Sequence, residues 1–303
     1  MAGQPISAAE AGSITFGGAL TVNRMGFGAM RITGENILGD PRDRDEAKRV
    51  VRRALELDVN FIDTADSYGP RVSEELIAAA LFPYPAELVI ATKGGLLRPA
   101  PGPWVPDGRP EHLRDALEGS LRMLHLDRIP LYQLHRPDPN VPIEESVGAL
   151  AGFQREGKIR FIGLSNVDEP LLRRAQREAD IVSVQNRYNP LDRSSEGVLE
   201  VCEREGMAFL PWGPLGQGNL SDPVLVDIAG RCGSSVWQVV LTWLLAHSTA
   251  ILVIPGTGSV AHLEQNLVAG RLRLSAEDMR RIDSLRGVRT GHADPAADAG
   301  QAA

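Results

Sequence analysis

The chain has little with which to build several kinds of site. Only two of its 303 residues are cysteines, Cys202 and Cys232. Two thiols make no disulfide framework, and both are expected as small core or helix residues in a reducing, cytoplasmic setting. Basic residues do not outnumber acidic ones: 32 Lys and Arg face 39 Asp and Glu, a net charge of −7. No excess is left to neutralise a phosphate backbone, so a nucleic-acid surface is excluded. The start, Met1-Ala2-Gly3-Gln4-Pro5, lacks the basic and apolar segments of a signal peptide. The most hydrophobic window, 236–254, is interrupted by Gln238, His247 and Ser248. It reads as a core helix and a strand rather than a membrane span, and no membrane partner is expected. The six histidines are scattered and form no His-x-His pair, so no metal is expected. Gly26-Phe27-Gly28-Ala29-Met30-Arg31 lacks the third glycine of the turn that marks an open dinucleotide-binding sheet.

What the chain does have is a series of short apolar runs, each stopping abruptly at a polar group. Phe61-Ile62 ends at Asp63, with Tyr68 five residues on; 88–92 ends at Lys93; 129–134 ends at His135. Runs of this kind are buried parallel strands, and amphipathic helices separate them. Ala47, Val50, Val51, Ala54 and Leu55 share one face of 45–58, and Leu113, Ala116, Leu117, Leu121 and Leu124 share one face of a helix starting at Pro110. Ser73 is expected to cap a helix over 73–81 and Asp168 or its neighbour another. Further strands are expected at 25–30, 158–164, 181–185, 207–212 and 251–255. Helices are expected at 143–155, 224–232, from Val236 and, after the last strand, at 275–286. Gly17-Gly18 inside 14–21 reads as a hairpin. Eight strands alternating with helices predict an α/β fold, a single (β/α)8 TIM barrel over 1–303, with mobile tails at 1–12 and 287–303. In such a barrel the carboxyl ends of the strands share one face, where the chemistry sits.

The segments FIDTADSYG, ATKGG, LYQLHRPD, FIGLSN, VQNRYNP and IPGTGSVAHLEQN, in this order, make the chain resemble the aldo-keto reductase superfamily from about residue 25 to about 280. PRDR near residue 41, and IPGT followed by SVAHL, resemble the bacterial branch that includes pyridoxal reductases. The resemblance implies a barrel with an N-terminal β-hairpin closing its bottom and an extra C-terminal helix. It also implies a catalytic tetrad of Asp63, Tyr68, Lys93 and His135. A free phenol has a pKa of about 10, so a nearby ammonium is needed to ease the exchange of its proton. Lys93 supplies that cation, Asp63 holds it, and His135 orients the carbonyl oxygen. Proteins supply no hydride unaided, so a nicotinamide cofactor is implied.

By the same resemblance Ser165, Asn166 and Gln185 are expected to bind the nicotinamide carboxamide, and Trp212 to stack on its ring. Gly213, Pro214, Leu215 and Gly216 belong to the segment that approaches the pyrophosphate. Pro255, Gly256, Thr257, Ser259, His262, Gln265 and Asn266 match the adenosine-phosphate site at a helix start. The best-known pattern there has Lys, Ser and a downstream Arg, where this chain has Gly256, Thr257 and His262. NADPH is favoured over NADH. Met30 and Arg31, after the first strand, are expected at the cofactor and pocket, with Trp104 and Tyr188 at the substrate. Trp104 lies on a long loop between Lys93 and Pro110 of the kind that lines a site. The expected function is reduction of an aldehyde or ketone by NADPH, with the proton from Tyr68; a monomer is compatible with it. The alternative is a nucleotide-binding regulatory subunit with little or no turnover, as potassium-channel β subunits use this fold.

Overall fold

The computed structural model describes residues 6–99, 102–213 and 221–285. Within the tail 1–12 that composition predicts to be mobile, a 3-10 turn forms at Ala8–Ala11, whereas residues 1–5 and the expected tail 287–303 lie outside the described residues. Ser7 caps the turn, Ala8 is buried and its N–H donates to Leu57 O at 2.8 Å, so residues 6–12 are tied down. Next come β1 (Ser13–Phe16) and β2 (Leu20–Asn23), an antiparallel hairpin. Its turn glycine Gly17 has φ 57°, and a Cβ there would stand 2.4 Å from the Phe161 ring, so the turn takes neither another conformation nor another side chain easily.

Seven strands form one parallel sheet: β3 (Phe27–Gly28), β4 (Phe61–Asp63), β5 (Val89–Gly94), β8 (Ile129–Leu134), β9 (Ile159–Ser165), β10 (Ile181–Arg187) and β11 (Ala208–Trp212). They neighbour one another in chain order, the right-handed βαβ series that the alternation of runs predicts. The remaining two strands, β6 (Leu96–Leu97) and β7 (Val105–Pro106), pair antiparallel within the long loop that carries Trp104.

The eighth strand differs from expectation. Residues 251–255 form no continuous ladder but single parallel bridges on both sides, Phe209 to Ile251 and Met25 to Val253, with Gly28 to Gly256 beyond. Backbone bonds from Leu252 N to Phe209 O and from Val253 N to Arg24 O, both 3.0 Å, close the ring between β11 and β3. The buried Arg24 guanidinium adds a stitch, donating to Ile251 O at 2.8 Å and Leu245 O at 2.9 Å, and also to Ser248 O.

Around the sheet lie α1 (Arg44–Glu56), α2 (Val72–Leu81), α3 (Pro110–Leu124), α4 (Ile143–Arg155), α5 (Glu169–Ala175), α6 (Glu196–Glu205), α7 (Pro223–Cys232), α8 (Val236–His247), α9 (Val260–Leu267) and α10 (Ala276–Asp283). Asp168 caps α5 through Leu171 N. Ser73 does not cap α2: Arg71, at φ 69°, is the entry residue, and Ser73 lies inside the first turn with its hydroxyl on Ala29 O. Cys202 and Cys232 are unpaired thiols on α6 and α7. Among the described residues no single helix is long and apolar enough to cross a membrane.

Strand alternation divides the core in two. Phe61, Val89, Ala91, Leu131, Val182, Ala208, Leu210, Leu252 and Ile254 fill the barrel interior, and Phe16, Leu20 and Val22 of the hairpin plug its amino end. The opposite parity, including Ile62, Ile90, Tyr132, Leu134, Val184 and Phe209, packs against the helices.

Candidate active site

Inward parity at the carboxyl ends of β4, β5 and β8 carries Asp63, Lys93, Gln133 and, one step on, His135 to the open mouth above that interior. Asp63 and Lys93 are almost wholly buried. Lys93 Nζ donates to Asp63 Oδ2 at 2.7 Å, to Thr64 O at 2.9 Å and to Tyr68 Oη at 3.3 Å. An ammonium has three protons, and each has one acceptor here. Burial opposes the Lys93 charge, but the Asp63 carboxylate and the Tyr68 hydroxyl outweigh it and hold its pKa above the ordinary lysine value. Asp63 Oδ1 accepts from Gln185 Nε2 at 2.9 Å and Gln133 Nε2 at 3.1 Å, so the carboxylate is fixed from both sides.

Tyr68 reaches the same point from the β4–α2 loop. Its ring stands edge-on to His135, centroids 5.7 Å apart, with Lys93 Nζ 5.0 Å from the ring centroid. Burial raises the phenol pKa and Lys93 only partly offsets it, so the hydroxyl is held protonated. Residue types alone point to a lowering by Lys93; in the folded chain desolvation is the larger effect. Burial, then Lys93 and Arg136, hold the His135 pKa well below 6.5, which keeps the imidazole neutral. Its Nδ1 lies 3.3 Å from Ser67 Oγ.

Above the four groups, Met30, Ile37, Ala65, Tyr68 and Trp104 form a small apolar cluster, and the Trp104 ring lies 6.4 Å from that of His135. The guanidinium of Arg98 covers Trp104 at 5.0 Å. Trp104 therefore stands where a pocket wall is expected. Tyr188 does not. Three residues beyond the inward Gln185, it has outward parity and lies fully buried against Trp243 and Phe209, its hydroxyl bonded to Glu196 and His247.

Ser165, Asn166, Gln185 and Trp212 meet on one side of the mouth. Asn166, at φ 61°, donates from Nδ2 to His135 O and Ser165 Oγ, both at 3.0 Å, and accepts from Trp212 Nε1 at 3.0 Å. Ser165 Oγ donates to Gln185 O. The Gln185 amide nitrogen, expected to face a nicotinamide, is instead bonded to Asp63. Gly213 follows β11 at φ 58°, whereas Pro214, Leu215 and Gly216 lie outside the described residues.

The loop 255–259 leads into α9. Ser259 makes no side-chain capping bond, and of the first-turn amides Val260 N–H reaches Glu46 Oε1 at 3.4 Å. Ser259 N–H donates to Thr257 Oγ1. His262 is exposed, and Gln265 and Asn266 follow on the same helix. A glycine-bearing loop feeding a helix start that lacks its own side-chain cap is a place for a phosphate, though Glu46 already claims Val260 N–H there.

Two groups carry no expected role in the sequence, although Gln133 lies within LYQLHRPD. Gln133 braces Asp63 and is legible only through period two: it is two residues before His135. Glu74, on the first turn of α2, accepts from Thr92 Oγ1 at 2.6 Å, immediately beside Lys93. Ser73 likewise accepts from Thr64 Oγ1 at 2.7 Å, beside Asp63. Thus α2 clamps both strand ends. Among the described residues no cluster of three His, Cys, Asp or Glu side chains is placed to hold a metal.

The model of the Aldo/keto reductase family matches residues 24–286. An uncharacterised oxidoreductase of Schizosaccharomyces pombe is 44% identical over 284 residues, covering 93% of this chain and 92% of the relative. The pyridoxine 4-dehydrogenase of Escherichia coli is 41% identical over 276 residues, 88% of this chain and 96% of that one. Among solved structures, a thermostable aldo-keto reductase bound to the inhibitor epalrestat superposes with TM-score 0.80 at 33% identity, over 90% and 98% of the two chains. An aldo-keto reductase from Klebsiella pneumoniae in complex with NADPH superposes with TM-score 0.77 at 25% identity, over 93% and 97%.

Proposed function

We propose that this chain, which belongs to the aldo/keto reductase family, reduces the carbonyl group of an aldehyde or ketone to the alcohol with NADPH, Tyr68 giving the proton. The observation that carries the reading is the Lys93 ammonium held at once by Asp63, Thr64 O and the Tyr68 hydroxyl. When bound, the nicotinamide supplies the hydride. The residues do the rest. Tyr68 is neutral as found, the state a proton donor needs, and Lys93 stabilises the phenolate left when the proton moves to the nascent alkoxide. Neutral His135 has its Nδ1 3.3 Å from Ser67 Oγ, and in the tautomer whose Nδ1 accepts from that hydroxyl it would present an Nε2–H donor to the substrate oxygen. Trp104, Met30 and Ile37 exclude water from the same space.

The cofactor reading is supported by the NADPH in the Klebsiella pneumoniae relative and by the cradle at 255–259. Asn166 locks the Trp212 ring, which would stack on the nicotinamide; Ser165, Asn166 and Gln185 stand beside it where the carboxamide would lie, and binding there would exchange their mutual hydrogen bonds for bonds to it. Pyridoxal is the substrate to try first, because the Escherichia coli relative is a pyridoxine 4-dehydrogenase and reduction of pyridoxal gives pyridoxine. The test is NADPH oxidation with pyridoxal and a panel of simple aldehydes and ketones, on wild type and Tyr68→Phe. Wild type should turn over, and Tyr68→Phe should lose about 10²–10⁴-fold in kcat with cofactor affinity changed less than about threefold. Full activity in Tyr68→Phe removes Tyr68 as donor. NADPH binding without turnover on any carbonyl would favour the regulatory-subunit alternative.

A further inference from the structure

The geometry points to Arg31 as the cation that reads the 2′-phosphate of NADPH, replacing the one that position 256 lacks; this rests on the cofactor reading above. Position 256 cannot carry a side chain in this backbone. Gly28 and Gly256 face each other in a parallel bridge. A Cβ on Gly256 would stand 2.6 Å from Gly28 O, and a Cβ on Gly28 would stand 2.6 Å from Ile254 O. Both contacts are with backbone, so neither can be relieved by turning a side chain. A lysine at 256, as in the best-known family pattern, would require the two strand ends to part.

The space such a side chain would enter is already bordered by another. Arg31 Cγ lies 3.7 Å from where the Gly256 Cβ would be, and Arg31 O lies 3.0 Å from the corresponding point on Gly258. The turn 29–32 and the loop 256–258 therefore lie against one another, with the Arg31 side chain starting beside the loop that leads into α9. Its side chain is exposed, and among the described residues no carboxylate pairs with it. That distinguishes it from nearby cations: Arg49 pairs with Glu46 at 2.7 Å, and Arg53 with Glu56 at 2.9 Å and Glu264 at 2.8 Å. Glu46 also accepts from Val260 N–H at 3.4 Å, so a negative group stands at the start of α9. A phosphate there needs a cation of its own, and Arg31 is placed to give it. A guanidinium also suits this target, since its planar fork bonds two phosphate oxygens together.

The test is binding rather than turnover. Wild type, Arg31→Ala and Arg31→Lys are titrated by fluorescence with NADPH, NADH, adenosine 2′,5′-bisphosphate and 5′-AMP; the last two differ only in the 2′-phosphate. Wild type should prefer NADPH to NADH and the bisphosphate to 5′-AMP. Arg31→Ala should lose about 10- to 100-fold for NADPH and for the bisphosphate, the range of a charge-assisted hydrogen bond. NADH and 5′-AMP should change less than threefold, and Arg31→Lys should recover most of the loss. Arg31 is exposed, so the variants should melt with the wild type. Equal losses for all four ligands, or no loss, overturn the assignment while leaving the reductase reading intact. A wild type that binds neither dinucleotide overturns both.

Discussion

Lys93→Met separates what the buried ion pair does for folding from what it does for chemistry. The substitution keeps the side-chain length and removes the charge at a position with no solvent exposure. Asp63 is then left as a carboxylate inside the barrel without its ammonium, and Thr64 O loses its donor. Removing one partner of a buried pair costs about 3–5 kcal/mol. Gln133 and Gln185 still donate to Asp63 Oδ1, which places the cost toward the lower end, about 3 kcal/mol. For a chain of 303 residues that is a fall in Tm of roughly 5 °C. Asp63→Asn made in the Lys93→Met background removes the stranded charge while keeping an oxygen for the two glutamines. The double variant should recover half the loss or more, a coupling of at least about 1.5 kcal/mol. Catalysis should not recover, because Tyr68 has lost its cation in both variants. Thermal unfolding and single-turnover reduction measure the two quantities separately. The reasoning is refuted if Lys93→Met melts with the wild type, or if the double variant melts lower still by the sum of the single costs.

Two further outcomes follow from buried groups that titrate away from their usual values. Burial raises the pKa of Glu74, so its ionisation opposes folding above its unfolded value of 4.5, and its favourable protonated contribution is lost as pH rises through the folded value. Glu74→Gln keeps an acceptor for Thr92, so its Tm should gain on the wild type as pH is raised from about 5 to 8; a constant difference across that range would show that Glu74 is already ionised in the folded chain at its lower end, and that burial does not raise its pKa. For His135 the depressed pKa has the opposite sense. The neutral ring contributes stability above the unfolded value of 6.5, and this is lost as pH falls. Reduction should show no histidine limb between about pH 6 and 8, and a limb near 6.5 that disappears in His135→Asn would contradict the neutral assignment.

How much of the fold is legible in the sequence depends on where each signal lies. A buried parallel strand announces itself by an apolar run, and its end by the first polar residue, so Asp63, Lys93 and His135 stand out from residue order alone. The last strand is harder. Residues 251–255 are as apolar as the others, yet they pair by single bridges, with Arg24 stitching the entrance to carbonyls of Leu245, Ser248 and Ile251. An arginine 221 residues or more from its acceptors leaves no local trace. The 3-10 turn at Ala8–Ala11 is hidden for a related reason: small residues with no periodicity are held by Leu57 and Asp58, contacts the segment itself does not encode.

The site shows the same division, and it is a matter of parity more than residue type. In β10, past an irregularity between Ile181 and Ser183, Gln185 is interior while Val184 packs on the helix side, so Tyr188, an odd step from Gln185, belongs with Trp243 and His247. The residue type suggests a pocket aromatic, but the period of two forbids it as long as the strand stays regular that far. The same count from His135 puts Gln133 inward, and from Lys93 puts Thr92 outward onto Glu74. What parity does not reveal is who claims a polar group once it is inside. Gln185 points into the mouth, as a nicotinamide ligand would, yet a buried carboxylate needs every donor within reach, and Asp63 takes its amide. The tetrad therefore has a second tier, Gln133 and Gln185, whose first duty is to Asp63, so substitution of either should disturb Lys93 and Tyr68 before it disturbs any ligand.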